Sequence, residues 1–407
     1  MNILLVNHYA GTPDLGMEFR PYYFAHEWQK MGHQVRIVGA TYSHLRKVQP
    51  KSKGAEIIDG IYYYWIKTIT YKSNGVKRVW SMFQFVFTLM CHYKQICLEF
   101  VPDVVIASST YPLDNYPVRK IAKHYHAKYI YEVHDLWPLS PMELGGMSKF
   151  HPFIMMMQIA ENYAYKHVDA VVSILPKTEI YMRSKGLAAG KFYCIPNGIV
   201  KEDWDKPMKL ADEYSELLTH LHAEHKTIVG FTGSHGIANS LQSIIEAVGK
   251  LESNNIVLVL VGTGQKKESL KRYVVEHGIK NVFFMPPVHK RMIPSLLAEM
   301  DILYIGWAKN PLYQYGISPN KIFDYAMAAK PIIHAVEAAN DLVKDAHCGL
   351  SVEPDNINEI SEAILILSRM TPSEREQLGL KGKEYVLQNH TYNILANQFI
   401  KIIELIK

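Results

Sequence analysis

Short apolar runs alternate along this chain with longer stretches whose apolar residues recur every three to four positions. Asn2–Val6, Gln34–Val38, Ile61–Trp65, Val104–Ala107, Lys128–Val133 and Ala170–Ser173 are largely apolar without strict alternation, which predicts strands covered on both faces. Phe19–Met31 has helical spacing and stops at Gly32, a residue suited to the left-handed turn that ends helices. After Ile195-Pro196-Asn197-Gly198 and a polar stretch, Lys201–Lys226, the alternation restarts. Strands are predicted at Thr227–Phe231, Ile256–Val261, Val282–Met285 and Ile302–Ile305, with helices at Ser240–Leu251, Lys267–His277 and Met292–Met300 between them. Lys321–Met327, Pro331–His334 and a helical tail ending in Thr391–Ile406 complete the series. Strands alternating with helices specify parallel, doubly wound α/β sheets. The expectation is two Rossmann-like domains facing across a cleft: residues 1–198, residues 199–390, and a last helix, 391–407, packing back on the first. Ligands bind beyond the carboxyl ends of such strands, so the loops there carry the candidate chemistry.

Composition narrows the class. A chain of 407 residues with 48% apolar and 20% charged positions is globular and too long for one core, not disordered or coiled-coil. Net charge is only +5, but residues 1–198 hold 22 Lys and Arg against 14 Asp and Glu. The first half is therefore +8 and the second −3. Aromatic residues do not interleave with Lys and Arg in an RNA-binding pattern, so nucleic acid is not an expected partner. Cys91, Cys97, Cys194 and Cys348 form no CxxC pair; buried, idle thiols in a reducing, cytoplasmic compartment are expected. The start, MNILLVNHYAG, lacks the basic segment of a signal peptide. Trp80–Cys91 is apolar over twelve residues, short of the ~20 that span a bilayer. Phe83, Phe87 and Met90 in it suit a core face; alternatively, with Lys67, Lys72, Lys77 and Arg78 ahead of it, the helix suits docking on an anionic membrane.

Three strand ends stand out. The first strand leads into Gly11-Thr12-Pro13-Asp14-Leu15-Gly16, which is not GxGxxG, so dinucleotide binding is disfavoured. The second half opens with Gly233-Ser234-His235-Gly236, and Gly262-Thr263-Gly264 follows the next strand. Glycines between a strand and a helix start let backbone amides approach a phosphate, and no GKS/T makes this a hydrolytic P-loop. Ser318-Pro319-Asn320-Lys321 opens another helix. A cation there opposes the helix dipole, which hints at a bound anion. Asp324, in i,i+3 register, suits ribose hydroxyls; the alternative is a surface Lys321–Asp324 pair. In the first half, Lys128–Val133 ends at His134-Asp135, well placed to touch a ligand.

These segments resemble glycosyltransferase family 4, retaining nucleotide-sugar transferases of the GT-B fold. The resemblance rests on Tyr9-Ala10-Gly11, Met17 to Tyr23, Gly32-His33-Gln34-Val35, Glu132 to Pro138, the Ile195–Gly198 hinge, and Ser318 to Lys321 with Phe323-Asp324-Tyr325. It is nearest the WbuB-like branch found among O-antigen, capsule and exopolysaccharide genes. It implies an acceptor domain first and a donor domain second. Gly11 and Gly16 would face the donor sugar and diphosphate, and His134 the transferred hexose, as the catalytic-site residue. Gly233, Ser234, His235, Asn239, Gly262, Gly264 and Ser318, Pro319, Asn320 and Lys321 would line the diphosphate and sugar. Val288 and His289 would border the base, and Asp324, the second acidic position of an E-x7-E signature, would hold the ribose. Glu18, Arg20 and Asp135 fall on the acceptor side. The first acidic position is Gly316, and the basic pair that many members place after the glycine-rich loop is missing.

The expected activity is retaining transfer of a hexose or N-acetylhexosamine from a nucleotide-sugar, by family habit a UDP-sugar. The acceptor would be a lipid-diphosphate-linked saccharide or polysaccharide intermediate, with the enzyme peripheral on the inner face of the cell membrane. No Asp-x-Asp motif is flanked by donor-type loops, so neither metal nor cofactor is expected. Two rival readings share the architecture: a UDP-sugar 2-epimerase-like isomerase, and a non-catalytic GT-B partner subunit.

Overall fold

The computed structural model describes residues 1–72 and 75–406. The chain folds as two compact units, Met1–Pro196 with Tyr392–Lys407, and Asn197–Thr391. In the first unit β1 (Asn2–Val6), β2 (Gln34–Ala40), β3 (Gly54–Ile58), β4 (Ile61–Ile66), β5 (Val104–Ala107), β6 (Lys128–Val133), β7 (Ala170–Ser173) and β8 (Phe192–Cys194) form one sheet. Their order is β3-β4-β2-β1-β5-β6-β7-β8, and β1 pairs in parallel with β2 and β5, Leu4 opposite Arg36 and Val105. Ile3 to Val6 are fully buried, as the continuous apolar run requires of a central strand.

The edge strand β3 is antiparallel to β4 and was not legible as an apolar run, because every second residue is solvent-facing. Its signal is Asp59-Gly60 between the strands, both at positive φ (51° and 80°), the conformation of a two-residue hairpin turn. The last helix, Tyr392–Leu405, packs on Arg20–Lys30. Phe399 meets Phe24 and Trp28 edge-on with ring centres 5.5 and 5.2 Å apart, and the Trp28 indole donates to the Ala396 carbonyl.

The apolar segment Trp80–Cys91 lies within a longer helix, Val76–Ile96. Its core line is Met82, Phe85, Leu89, Tyr93 and Ile96. Phe83 and Phe87 are exposed and Met90 is half-buried, so the core face runs one position away from the one expected. Cys91 also lies on the outer side and is exposed, whereas Cys97 and Cys348 are buried and Cys194 partly so; not all the thiols are sequestered. A further helix, Pro152–His167, lies beyond β6. Among the described residues no helix is long and apolar enough to cross a membrane.

The second unit holds β9 (Thr227–Thr232), β10 (Ile256–Val261), β11 (Val282–Met285), β12 (Ile302–Gly306), β13 (Ile332–Ala335) and β14 (Gly349–Ser351). They form a parallel sheet in the order β11-β10-β9-β12-β13-β14. The order reverses direction at β9 and β12, whose carboxyl ends therefore border the topological switch point. The short β8 and β14, three residues each, escape a reading by apolar runs.

Candidate functional site

In the first unit the loop after β1 folds on itself. The Gly11 amide donates to the Glu18 carbonyl and the Gly16 amide to the Thr12 carbonyl. A Cβ at Gly11 would lie 1.9 Å from the Gly16 oxygen, and one at Gly16 (φ +113°) would lie 2.8 Å from the Lys47 nitrogen. Gly11 is thus required by backbone packing within the loop, and Gly16 by the neighbouring Arg46–Lys47 backbone and its own positive φ. Arg46 fixes the same segment, donating to the Ala10 and Ala40 carbonyls at 2.7 and 2.6 Å.

Arg20 was expected to face an acceptor. It is instead buried, its Nε donating to Glu132 Oε1 at 2.9 Å. Its other nitrogens donate to the Pro196 and Ile195 carbonyls at 2.6 and 2.8 Å. A guanidinium buried this way cannot remain unpaired, and helix Arg20–Lys30 places it directly against β6. Glu132 also accepts from Ser108 Oγ at 2.6 Å and contacts His134 Nε2 at 3.1 Å. Burial raises its pKa, but Arg20, then His134 and Ser108, more than offset this and hold it at about 2.

His134 is thereby anchored through Nε2, to Glu132 and to Ser108 at 3.0 Å, with Nδ1 3.9 Å from Glu18 Oε1. Glu18 and His134 are brought together as a strand-end pair; Arg20 serves behind them. Sequence reading missed the role of Glu132, although a carboxylate inside the apolar run of β6 must have a buried partner. Asp135 accepts from the Leu136 amide at 2.9 Å and from Ser140 Oγ, and burial raises its pKa. It borders a cavity of about 860 Å³ with Arg78 and Trp137.

In the second unit Gly233 (φ +137°) begins the loop after β9. The Gly233 amide donates to the Val261 carbonyl, His235 to Thr263, and Lys266 back to His235. A Cβ at Gly262 would lie 1.9 Å from the Gly233 oxygen, and one at Gly264 2.6 Å from the His235 carbonyl carbon and oxygen. These two glycines admit the neighbouring loop's backbone, a reason independent of any phosphate. His235 is fully buried and neither ring nitrogen has a hydrogen-bond partner among the described residues. Burial, with Lys267 and Lys321 nearby, lowers its pKa to about 4. Its neutral ring supports the loop from within instead of facing a ligand as expected.

The Lys321–Asp324 pair does not form. Lys321 Nζ reaches across to Asn239 Oδ1 at 2.8 Å and lies 4.2 Å from the centre of the Phe231 ring. A Cβ on Gly233 would come within 3.2 Å of it. Burial lowers the Lys321 pKa to about 7. Asn239 also accepts from Trp307 Nε1 at 3.2 Å and donates to the Ser234 carbonyl. The structure therefore brings Gly233, Ser234, Asn239 and Lys321 together and supplies a cation where the loop itself has none. Trp307 had no sequence signal.

Asp324, on helix Asn320–Met327, has its pKa raised by burial, offset in part by Lys290. Ser318 is engaged by Asn197, whose amide donates to its Oγ at 2.8 Å and whose side chain donates to its carbonyl at 2.7 Å. Pro319 is the residue at the helix cap. His289 caps the short turn Lys290–Met292, accepting from the Arg291 amide, and Val288 packs on the core below. Gly316 has φ +94°, a conformation in which an acidic side chain would be strained. Among the described residues no three of His, Cys, Asp and Glu are grouped to hold a metal ion.

Comparison with known proteins bears on the family and the fold. The family model for Glycosyltransferase Family 4 matches residues 16–203, and that for Glycosyl transferases group 1 matches residues 226–369. A relative in Escherichia coli (strain K12), the putative colanic acid biosynthesis glycosyl transferase WcaI, is 22% identical over 292 residues, 68% of this chain and 70% of the relative. Sucrose-phosphate synthase from Thermosynechococcus elongatus superposes with a TM-score of 0.74 at 17% identity, covering 99% and 98% of the two chains. Anabaena Alr3699/HepE, solved in complex with UDP-glucose, gives 0.68 at 14% identity, with 99% of each chain covered. WaaG, a glycosyltransferase involved in lipopolysaccharide biosynthesis, gives 0.66 at 16%, again over 99% of each. These likenesses establish the fold as GT-B, with two Rossmann-like units, and the two family models between them take in both. The chain belongs to the family 4 glycosyltransferases.

Proposed function

We propose that the protein transfers a hexose or N-acetylhexosamine from a UDP-sugar to a lipid-linked saccharide in bacterial surface polysaccharide synthesis, with retention and without a metal. The observation that carries this reading is Lys321 held on Asn239 beside Gly233, where a side chain would come within 3.2 Å of the amine. Departure of a nucleoside diphosphate builds negative charge, and the Lys321 amine, held in place on Asn239 and taking up its proton as the diphosphate arrives, meets it. The C1–oxygen bond to the diphosphate breaks as the bond to the acceptor oxygen forms on the same face. The acceptor proton passes to the departing phosphate oxygen. Asp324 takes the ribose hydroxyls, and His134, oriented by Glu132 and Ser108, hydrogen-bonds the sugar.

Support for the donor is the Anabaena relative in fold, solved with UDP-glucose. Support for the pathway is the relative named for colanic acid biosynthesis. Support for a peripheral position on an anionic membrane is the set Lys72, Lys77, Trp80, Phe83 and Phe87, all exposed at or before the outer face of helix Val76–Ile96. A thermal-shift screen of UDP- and GDP-sugars tests the donor, because a bound ligand raises the melting temperature by mass action. Stabilisation by UDP-sugars alone is expected; stabilisation by GDP-sugars alone refutes the assignment. An inverted anomeric configuration in the product, read by NMR, refutes retention, and loss of activity on chelation refutes metal independence.

A further inference from the structure

Two cavities in the first unit run into each other. The larger, about 860 Å³, has a polar end formed by Arg78, Asp135 and Ser140 and an apolar wall of Val79, Met82 and Trp137. The smaller, about 540 Å³, lies along the seam of helices Val76–Ile96 and Pro152–His167, between Phe83 and Val86 on one side and Met155 and Ile159 on the other. Pro152 and Met156 line both, so the two make one furrow. It starts beside the residue after His134 and ends among exposed apolar side chains, Met155 and Ile159 being half or more exposed. From Val79 to Val86 the helix alone advances about 10 Å.

We infer that this furrow holds the hydrocarbon chain of the acceptor, a branched lipid bearing a phosphate or diphosphate. The inference rests on the transfer reading above and deepens it by naming the surface that takes the lipid. Three features argue for that occupant. The furrow has one polar and one apolar end, matching a molecule with an ionic head and a long tail. Arg78 at the polar end sits 5.7 Å from the Trp137 ring centre with its Nε and Nη2 3.4 Å from the Tyr9 hydroxyl, a fixed cation for the phosphate. Its field is felt locally: after burial, Arg78 is the cause that holds His44 at about 4. The apolar stretch is lined by methionines, which adapt to irregular, methyl-branched chains. Asp135, whose Oδ1 already accepts from Leu136 and Ser140, stands at the same end, where the saccharide of such an acceptor begins.

The test uses the full chain with UDP at saturation, so that the donor loop cannot take a second diphosphate. Binding of farnesyl diphosphate and of dimethylallyl diphosphate is measured by titration calorimetry below the micellar concentration. Each methylene buried is worth on the order of a fourfold gain in affinity. Farnesyl diphosphate is expected to bind at least a hundredfold tighter, roughly what burial of only four of its added carbons gives at that rate. Val79→Glu and Met156→Glu, both at partly exposed positions, are each expected to lose at least tenfold, while Ile180→Glu elsewhere on the surface changes nothing. Equal affinity for the two diphosphates, or unchanged binding in both furrow variants, overturns the inference. So does full competition by neutral phosphatidylcholine vesicles, which assigns the furrow to bilayer contact. A retained thermal shift with UDP in the absence of farnesyl binding overturns the furrow alone; loss of both overturns the transfer reading itself.

Discussion

Replacing Glu132 by Gln keeps the shape of the side chain and removes the charge that Arg20 needs. Glu132 and Arg20 are both buried, so solvent screens neither. The Glu132 carboxyl is held at about 2 against an ordinary 4.5, and at about 1.4 kcal/mol per unit that difference stabilises the first unit by about 3 kcal/mol at neutral pH. Loss of one partner of a buried ion pair costs about 3–5 kcal/mol, the same range. The folded pKa is depressed, so the contribution is complete above the unfolded value of 4.5 and is lost as pH falls towards 2. It should be about 3 kcal/mol at pH 7 and about 2 kcal/mol at pH 3.5. Because two units unfold, the measurement must read the first by itself. Denaturant titration followed by hydrogen exchange and mass spectrometry of peptides from β1, β6 and the Ile195–Pro196 segment does so. Peptides from the last segment should lose protection most, since Arg20 donates to both carbonyls there. A deficit below about 1 kcal/mol at pH 7, or one that stays constant down to pH 3.5, refutes the reasoning.

The second unit carries its own tests. Lys321→Met should weaken UDP at least tenfold; in the wild type, where burial holds the amine at about 7, an arriving diphosphate at pH 8 should restore its proton. Calorimetry in buffers of different ionisation enthalpy reads that uptake, and a value of zero contradicts the assignment of Lys321 to the phosphate. Gly262→Ala drives a Cβ to within 1.9 Å of the Gly233 carbonyl oxygen and should cost at least ~2 kcal/mol, together with UDP affinity, in a melt with and without nucleotide. Gly316→Glu places an acidic residue at a backbone of φ +94° and ψ 175°; a loss of stability of about 1–3 kcal/mol, read as a lower melting temperature, is expected, without tighter UDP binding. Trp80→Ser with Phe87→Ser removes two side chains that are 57% and 70% exposed. The melting temperature should hold while flotation with anionic liposomes falls, and unchanged flotation would remove the membrane reading of that helix.

Sequence alone determined most of the apolar strands of both sheets. β1, β5, β6, β7 and β10 begin and end at the residues expected, because a strand buried on both faces must be apolar along its length; β11, at a sheet edge and only partly buried, does so through its own apolar run. It also marked the strand-end glycines and the segments on which family membership rests. It could not mark β3, β8 or β14, which are short or half-exposed, nor which side of helix Val76–Ile96 faces the core, since both sides carry large apolar residues.

Only the tertiary structure decided what the polar residues do. Arg20 finds Glu132 across 112 positions and Lys321 finds Asn239 across 82. In each case local spacing suggested a different partner or a different exposure. A charge leaving water takes whatever oxygen the fold brings nearest, and that choice is made by packing between segments distant in the chain. The same holds for Gly262 and Gly264: their presence was plain in the chain, but that they make room for a neighbouring backbone is a property of two loops meeting in space.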